Sequence, residues 1–373
     1  MSQNKRMKFA GWIILLITLG MCGIFSILYS SDLSNQNQSD LSRKTSKTLF
    51  PILMYNSDIG MGYGIKGVVR NYYHANESFD TILFGSSKGE QWYKLAFSIP
   101  DFELRQGTAY PCAVDVTLEF NKRLKSNFFG RGNNSADNEW QFPKEYVRMQ
   151  LVGSRAFTEQ MIGEIGLVLT HTTVYDYDQN LLLASTNVVG KGEFATSCLR
   201  AQFRRDSRDS RIHPHRGWTC SLTTSIASKA IASDFEFQRY QVELTGYRQI
   251  GSSNHILAGR LWLQQQYGDA PYYDQCIIGG GWTARGFKEN RFFDHAACLT
   301  SFEYRFPIYS RLGGVLFVDS GRVFHGLQAA SLNNWKMDFG GGLRYYLDNF
   351  IVRFDVGTSN EGTRMFFNFG HVF

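Results

Sequence analysis

The chain has 373 residues, 43% apolar and 15% aromatic, with 36 glycines against 7 prolines and a formal net charge of +6. A mean hydropathy of −0.26 argues against a bundle of membrane-spanning helices, but not against a barrel, whose wall is apolar on one face only. Removing Lys5, Arg6 and Lys8 with a leader would halve the charge, a bias too weak to imply a nucleic-acid partner.

Those three cations precede an apolar run from Phe9 to Tyr29. A positive segment followed by an apolar one is the pattern of an export signal, and residues 1–30 are read as one. The run is also long enough for a single uncleaved anchor. A lipoprotein box around Cys22 fits poorly, because Met21 stands where a small residue belongs. Each reading places the remainder outside the cytoplasm. Residues 31–48 are polar, lack apolar periodicity and read as a linker.

From residue 49 onward strand signals follow in quick succession, and a barrel is expected over 49–373. Val147, Met149 and Leu151 alternate with Arg148 and Gln150; Phe302, Tyr304 and Phe306 alternate with Glu303 and Arg305; Val352, Phe354 and Val356 alternate with Arg353 and Asp355. A soluble sandwich gives the same alternation, so the connections must decide. Strands are predicted near 49–57, 61–73, 78–87, 91–99, 110–121, 142–156, 160–172, 191–205, 215–228, 234–248, 254–268, 296–307, 312–320, 335–346, 350–357 and 363–373. With the first strand running outward, the four longest links, 122–141, 173–190, 269–295 and 321–334, all fall on the outer side. Most inner links are short turns. Sorting of loop length by side is the pattern of an outer-membrane barrel. The alternating carboxyl-terminal strand carries Phe369 and Phe373 on one face and suits closure against the first strand.

Within the sixth outer link, Gly279, Gly280 and Gly281 run into Trp282, and Arg285 stands before Gly286 and Phe287. Glycines let a loop lie close against another surface. Such a loop can push one cation into a confined space, where it needs an anionic partner or water. Asp319, on the apolar strand FVDSGRVF with Phe317 and Gly321, is that expected partner. The densest charge lies at 204–216, where Asp206, Arg208, Asp209, Pro214 and Gly217 shape an inner turn. It reads as a salt-bridged turn before it reads as a docking surface for a periplasmic factor or lipid headgroups. His213 and His215 around Pro214 are weak evidence for a metal, and no metal site is assigned. Cys112, Cys198, Cys220, Cys276 and Cys298 show neither close pairing nor metal-ligand spacing; a disulfide between Cys276 and Cys298 stays open. No G-x-S-x-G, phosphate loop or zinc helix is present, so neither an enzyme nor a cofactor is expected.

These motifs, in this order, resemble the BamA/TamA-like outer-membrane family, the bacterial surface-antigen barrels. YNSDIGMGYGIKG (55–67) resembles the family's first hairpin, FFGRGNN (128–134) an outer-loop segment, and DSRDSRIHPHRGW (206–218) its D-x-R-D…P-x-x-G turn. GGGWTARGF resembles its V-R-G-F/Y loop, with Ala284 in place of valine, and Phe317, Asp319 and Gly321 match F-x-D-x-G. The resemblance covers roughly 49–373. It implies an all-β, 16-stranded antiparallel transmembrane β-barrel in a bacterial outer membrane, whose sixth outer loop folds inward so that its arginine meets the aspartate. It also implies a first–last strand seam that can open. The seventeen or so residues between leader and barrel are too few for a POTRA domain, as in barrel-only members. The expected role is assembly, insertion or translocation, with outer-membrane lipid, protein clients or periplasmic factors as partners. The alternative is a passive surface protein: a narrow pore, antigen or adhesin.

Overall fold

The computed structural model describes residues 45–56, 60–137, 140–175, 189–251, 254–347 and 351–373, with single positions 184 and 187. The expected leader, and the linker up to residue 44, lie outside the described residues. The strands are β1 (Ser46–Asn56), β2 (Gly60–Arg70), β3 (Ser78–Ser86), β4 (Gln91–Ile99), β5 (Tyr110–Phe128) and β6 (Trp140–Ala156). Then come β7 (Met161–Val174), β8 (Glu193–Asp206), β9 (Gly217–Ala227), β10 (Phe237–Ile250) and β11 (His255–Gly268). A short pair follows, β12 (Cys276–Ile278) and β13 (Phe292–Asp294), and the chain finishes with β14 (Ala296–Tyr309), β15 (Leu312–Phe324), β16 (Lys336–Tyr346), β17 (Ile351–Ser359) and β18 (Gly362–Phe369). Sixteen of these close into one antiparallel barrel in sequence order, with β14 following β11; β12 and β13 form a separate two-stranded ribbon.

The strand pattern is inverted relative to a soluble sheet. On β14 Phe302 is 65% exposed, whereas Glu303 and Arg305 are buried. On β15 Leu316 and Val318 are exposed while Asp319 is buried, and on β17 the buried positions are Ile351 at the end of the strand, then Arg353, Asp355 and Gly357. Apolar residues face outward and charges inward, which stabilises the sheet only where lipid covers its outer face.

Three expectations change. First, β5 runs seven residues beyond the predicted 110–121, and the link expected at 122–141 shrinks to 129–139. The polar stretch NKRLKSN reads as loop, yet Lys122 pairs with Glu145, and a register shift between Arg123 and Ser126 lets the ladder continue to Phe128–Trp140. Second, the link 269–295 contains the ribbon β12–β13, pairing Cys276 with Asp294; two three-residue strands are too short to show a period. Third, Phe373 does not lie on the closing strand. β18 ends at Phe369, and Gly370 takes a left-handed φ of +80°, where a side chain would be strained. Residues 370–373 leave the ladder, Val372 is buried, and Arg305 Nη2 donates to the Phe373 backbone oxygen at 3.2 Å. The Arg305 guanidinium also lies 5.6 Å from the Phe373 ring centre.

This departure sets the closure. Among the described residues β1 and β18 are in register only at Tyr55–Phe367 and Asn56–Phe366, whereas β17 and β18 pair from Val352–Phe369 to Ser359–Gly362. Phe302, halfway along β14 and exposed, tests the lipid-facing assignment. Phe302→Arg is expected to destabilise the barrel by about 2–4 kcal/mol if its position is near the bilayer midplane, with Phe302→Leu close to neutral. A denaturant titration in lipid vesicles, read by heat-modifiable gel mobility, measures the difference.

Candidate functional site

Inward positions on β14–β17 alternate into a wall of charge. Glu303 and Arg305 stand two apart on β14, Asp319 on β15, Asp338 and Arg344 on β16, and Arg353 and Asp355 on β17, all at most 2% exposed. Arg285 joins them at 0% exposed. Its Nε donates to Asp319 Oδ2 at 2.7 Å and its Nη2 to Asp319 Oδ1 at 2.9 Å, a two-pronged pairing. Its Nη1 donates to Glu303 Oε1 at 2.5 Å and lies 3.5 Å from Asp355 Oδ2. Its backbone N–H also reaches Asp319 Oδ2, at 3.3 Å. The guanidinium stacks on Phe317, 3.5 Å from the ring centre. The carboxylates are themselves held: Arg305 Nε donates to Glu303 Oε2 at 2.8 Å and Arg344 Nη1 to Asp355 Oδ1 at 2.6 Å. Four guanidiniums and four carboxyl groups thus share one buried cluster.

Small residues let the loop reach this wall. A β-carbon on Gly357 would sit 2.6 Å from the Arg285 carbonyl carbon, and one on Gly286 would sit 2.4 Å from the Asp338 β-carbon. The two backbones therefore meet through facing glycines. Ser359 donates its hydroxyl to the Gly286 carbonyl at 2.9 Å. Gly279 and Gly280 take φ of +120° and +101°, turning the chain after β12. Gly281 lies against the Phe366 ring of β18. Thr283 Oγ1 accepts from Gly279 N–H at 2.9 Å, and the Ala284 carbonyl accepts from Gly280 and Phe287 N–H, each at 3.2 Å. Phe287 is fully buried with Phe292, Ile278, Leu299 and Val323. Burial of each such ring contributes roughly 1.5–3 kcal/mol. Gly321 packs close to Ile278 of the ribbon.

Further ties run from the segment after Arg285 to β5 and to neighbouring loops: Glu289 to Arg123, Arg291 to Glu361 and Ser135, and Lys288 to Asp137. Trp282 gives its carbonyl to Arg260 Nη1 at 2.9 Å and lies 4.4 Å from the Arg353 guanidinium. Sequence reading named Arg285 and Asp319 but missed Glu303, Asp355, Arg305 and Arg344 as one cluster. Their signal was present in the charged phases E-x-R (303–305) and R-x-D (353–355). Cys276 and Cys298 are separate thiols, that of Cys276 donating to the His295 carbonyl.

The inner turn is a separate assembly. Asp206 accepts from Arg208 through Nε at 3.0 Å and Nη2 at 2.8 Å, and Asp209 accepts the His215 and Arg216 backbone N–H groups. Pro214 is buried, and Gly217 has φ +103° where a β-carbon would meet the Ser207 carbonyl at 2.4 Å. His213 stacks on Tyr346 at the far end of β16, 4.1 Å between ring centres, with His215 at 4.4 Å and His371 at 5.8 Å. The turn thereby reaches from β8–β9 to the end of β16 and the segment after β18. Burial, with His215 and Arg305 nearby and Asp209 opposing, pushes the His213 pKa down to about 4.

Residues 71–373 match the Omp85 superfamily domain. A stretch of 127 residues, 33% of the chain, is 29% identical to the outer membrane protein assembly factor BamA of Nitratidesulfovibrio vulgaris, and covers 16% of that protein. The fold is shared with BamA from Haemophilus ducreyi lacking POTRA domains 1–3, at TM-score 0.64 and 12% identity over 88% of this chain and 70% of that one. It is shared also with CdiB from Escherichia coli, at TM-score 0.61 and 11% identity over 89% and 63%. CdiB from Acinetobacter baumannii gives TM-score 0.55 and 14% identity over 88% and 60%.

Arg285→Ala leaves buried carboxylates uncompensated and is expected to cost about 3–5 kcal/mol. Asp319→Ala should cost a similar amount, and the double variant less than the sum of the two; denaturation of the purified barrel measures all three. A pH effect has a fixed sign. The unfolded chain protonates His213 below about 6.5, the folded one only near 4. Its contribution therefore makes stability fall as pH drops through that window and no further below it. Unfolding midpoints across pH 4–7 should slope less in His213→Gln than in the parent.

Proposed function

The chain belongs to the Omp85 superfamily, and from that membership we propose that this outer-membrane barrel helps assemble, insert or translocate protein or lipid, through a seam between β1 and β18 that opens. Barrels of this superfamily are generally transporters and assembly factors, not enzymes. The observation that carries the proposal is the closure itself: among the described residues, two register positions at Tyr55–Phe367 and Asn56–Phe366. Opening so short a ladder costs far less than opening any other pair, because each ladder position carries backbone hydrogen bonds that lipid cannot replace.

In this reading the loop 269–295 folds back into the lumen, and Arg285 with Asp319 and Glu303 is the latch that holds it. The contact of Gly281 with Phe366 places the same loop against the last strand, so latch and seam share a border. Residues 1–30 serve as the export signal, and the linker expected over 31–48 ends at residue 45, because Ser46 already opens β1. The relative that matches in sequence is named an assembly factor, which supports the assembly role. Outer-membrane lipid surrounds the wall, the clients are outer-membrane or exported proteins, and the salt-bridged turn 206–217 is the surface a periplasmic factor would meet.

One observation favours a second reading, a narrow passive pore. A polar cavity of about 280 Å³ lies between β6 and β11, lined by Arg148, Arg200, Arg239, Thr196 and Gln241 among others. Depletion in the bacterium separates the readings. An assembly component predicts reduced levels of other outer-membrane proteins, restored by the parent chain. In a background freed of native cysteines, a Tyr55→Cys/Phe367→Cys pair should restore them only after reduction. Unchanged outer-membrane proteins on depletion, with ion conductance in planar bilayers, would assign the passive pore instead.

A further inference from the structure

Asp294, His295 and His325 meet at the long-loop end of the barrel. Asp294 closes the ribbon strand β13, His295 links it to β14, and His325 follows β15. A carboxylate oxygen of Asp294 and one ring nitrogen from each histidine lie within 4.8 Å of one another. The two ring centres are 5.1 Å apart, and His325 Nδ1 is 3.8 Å from Asp294 Oδ1.

The His295 backbone and the Asp294 side chain are held, and the His325 side chain is exposed. The His295 backbone is held at four points: its carbonyl accepts from Gln266 N–H at 2.7 Å, from the Cys276 thiol at 3.2 Å and from Gln265 Nε2 at 3.4 Å, and its N–H donates to Asp294 Oδ1 at 2.9 Å. Among the described residues no hydrogen bond engages its imidazole nitrogens. Asp294 is 10% exposed along its side chain and paired to Cys276 in the ribbon, whereas the His325 side chain is 77% exposed. Burial lowers the His295 pKa, aided by Arg131 and His325 and opposed by Asp294 and Asp269. A neutral imidazole is the form that ligates metal.

We propose that Asp294, His295 and His325 bind a first-row divalent transition ion, with zinc as the type, which ties the ribbon of loop 269–295 to the segment after β15. Two imidazoles and one carboxylate select zinc, nickel or copper over calcium and magnesium, which prefer all-oxygen shells. Tetrahedral zinc with bonds of about 2.0–2.1 Å places its donors about 3.3 Å apart. His325 closes the remaining gap by rotating its exposed side chain. A fourth position stays open to water. The inference is independent of what the barrel does.

Tag-free protein, purified in detergent and stripped with a chelator, is titrated with zinc chloride in a calorimeter. One equivalent of zinc should bind, at least tenfold more weakly in His325→Ala and in His295→Gln, but unchanged in His213→Gln/His215→Gln. Millimolar calcium or magnesium should not displace it. Zinc should also slow chymotryptic cleavage after Leu327 and Leu332, both exposed in the segment after β15, in the parent but not in His325→Ala. Because His325 is exposed, its replacement leaves the fold intact, and unheated gel mobility verifies that. Absence of stoichiometric zinc binding, or equal binding by parent and His325→Ala, overturns the site.

Discussion

A guanidinium with no solvent contact is the constraint around which one side of this barrel is built. Arg285 cannot shed its proton and cannot lie in an apolar interior without carboxylates. Asp319 and Glu303 supply them within hydrogen-bonding distance, and Asp355 stands just beyond. Those carboxylates would in turn repel one another without Arg305 and Arg344 between them. The cluster therefore stands as a unit: each charge makes its neighbours tolerable. Such networks do not rank as strong sources of net stability, since desolvation offsets most of the attraction. What they define is position, because only one placement of the loop satisfies the two-pronged geometry on Asp319.

The wall had to be thinned to permit that placement. On β16 the inward positions between Asp338 and Arg344 are Gly340 and Gly342, and on β17 the inward position after Asp355 is Gly357. Each is a weak residue for a strand, because it adds nothing to pack and orders at an entropic cost. Their use here follows from contact: the Gly357 backbone touches Arg285, and a β-carbon on Gly342 would collide with the Asp355 carboxylate. Strand propensity has been given up where the loop and its counter-ions need room.

The sixteen strands were legible because membrane strands alternate cleanly and because loop length sorts by side. The pair Arg285 and Asp319 was legible because glycines around a lone cation and a lone acid on an apolar strand are both unusual. Several features were not. The ribbon β12–β13 is too short to carry a period, and the extension of β5 hides in a run of lysines and asparagines that reads as loop. The fate of Phe373 was misjudged for a physical reason: its alternation with Phe369 continues in sequence, but Gly370 turns the backbone and Arg305, distant in sequence, holds the ring. Asp294, His295 and His325 come together only through the β14–β15 hairpin and the ribbon, which no local spacing discloses.

The interior is divided unequally. The β14–β17 side is filled by charges that neutralise one another, and the open cavity lies along β6–β11. That cavity presents Arg148, Arg200 and Arg239 with Asp274 as its single acid, so its walls carry an excess of positive charge. A cavity of this sign in a low-dielectric setting favours anions over cations. The filled half leaves this cavity as an open part of the interior, and its three arginines give that part a positive sign.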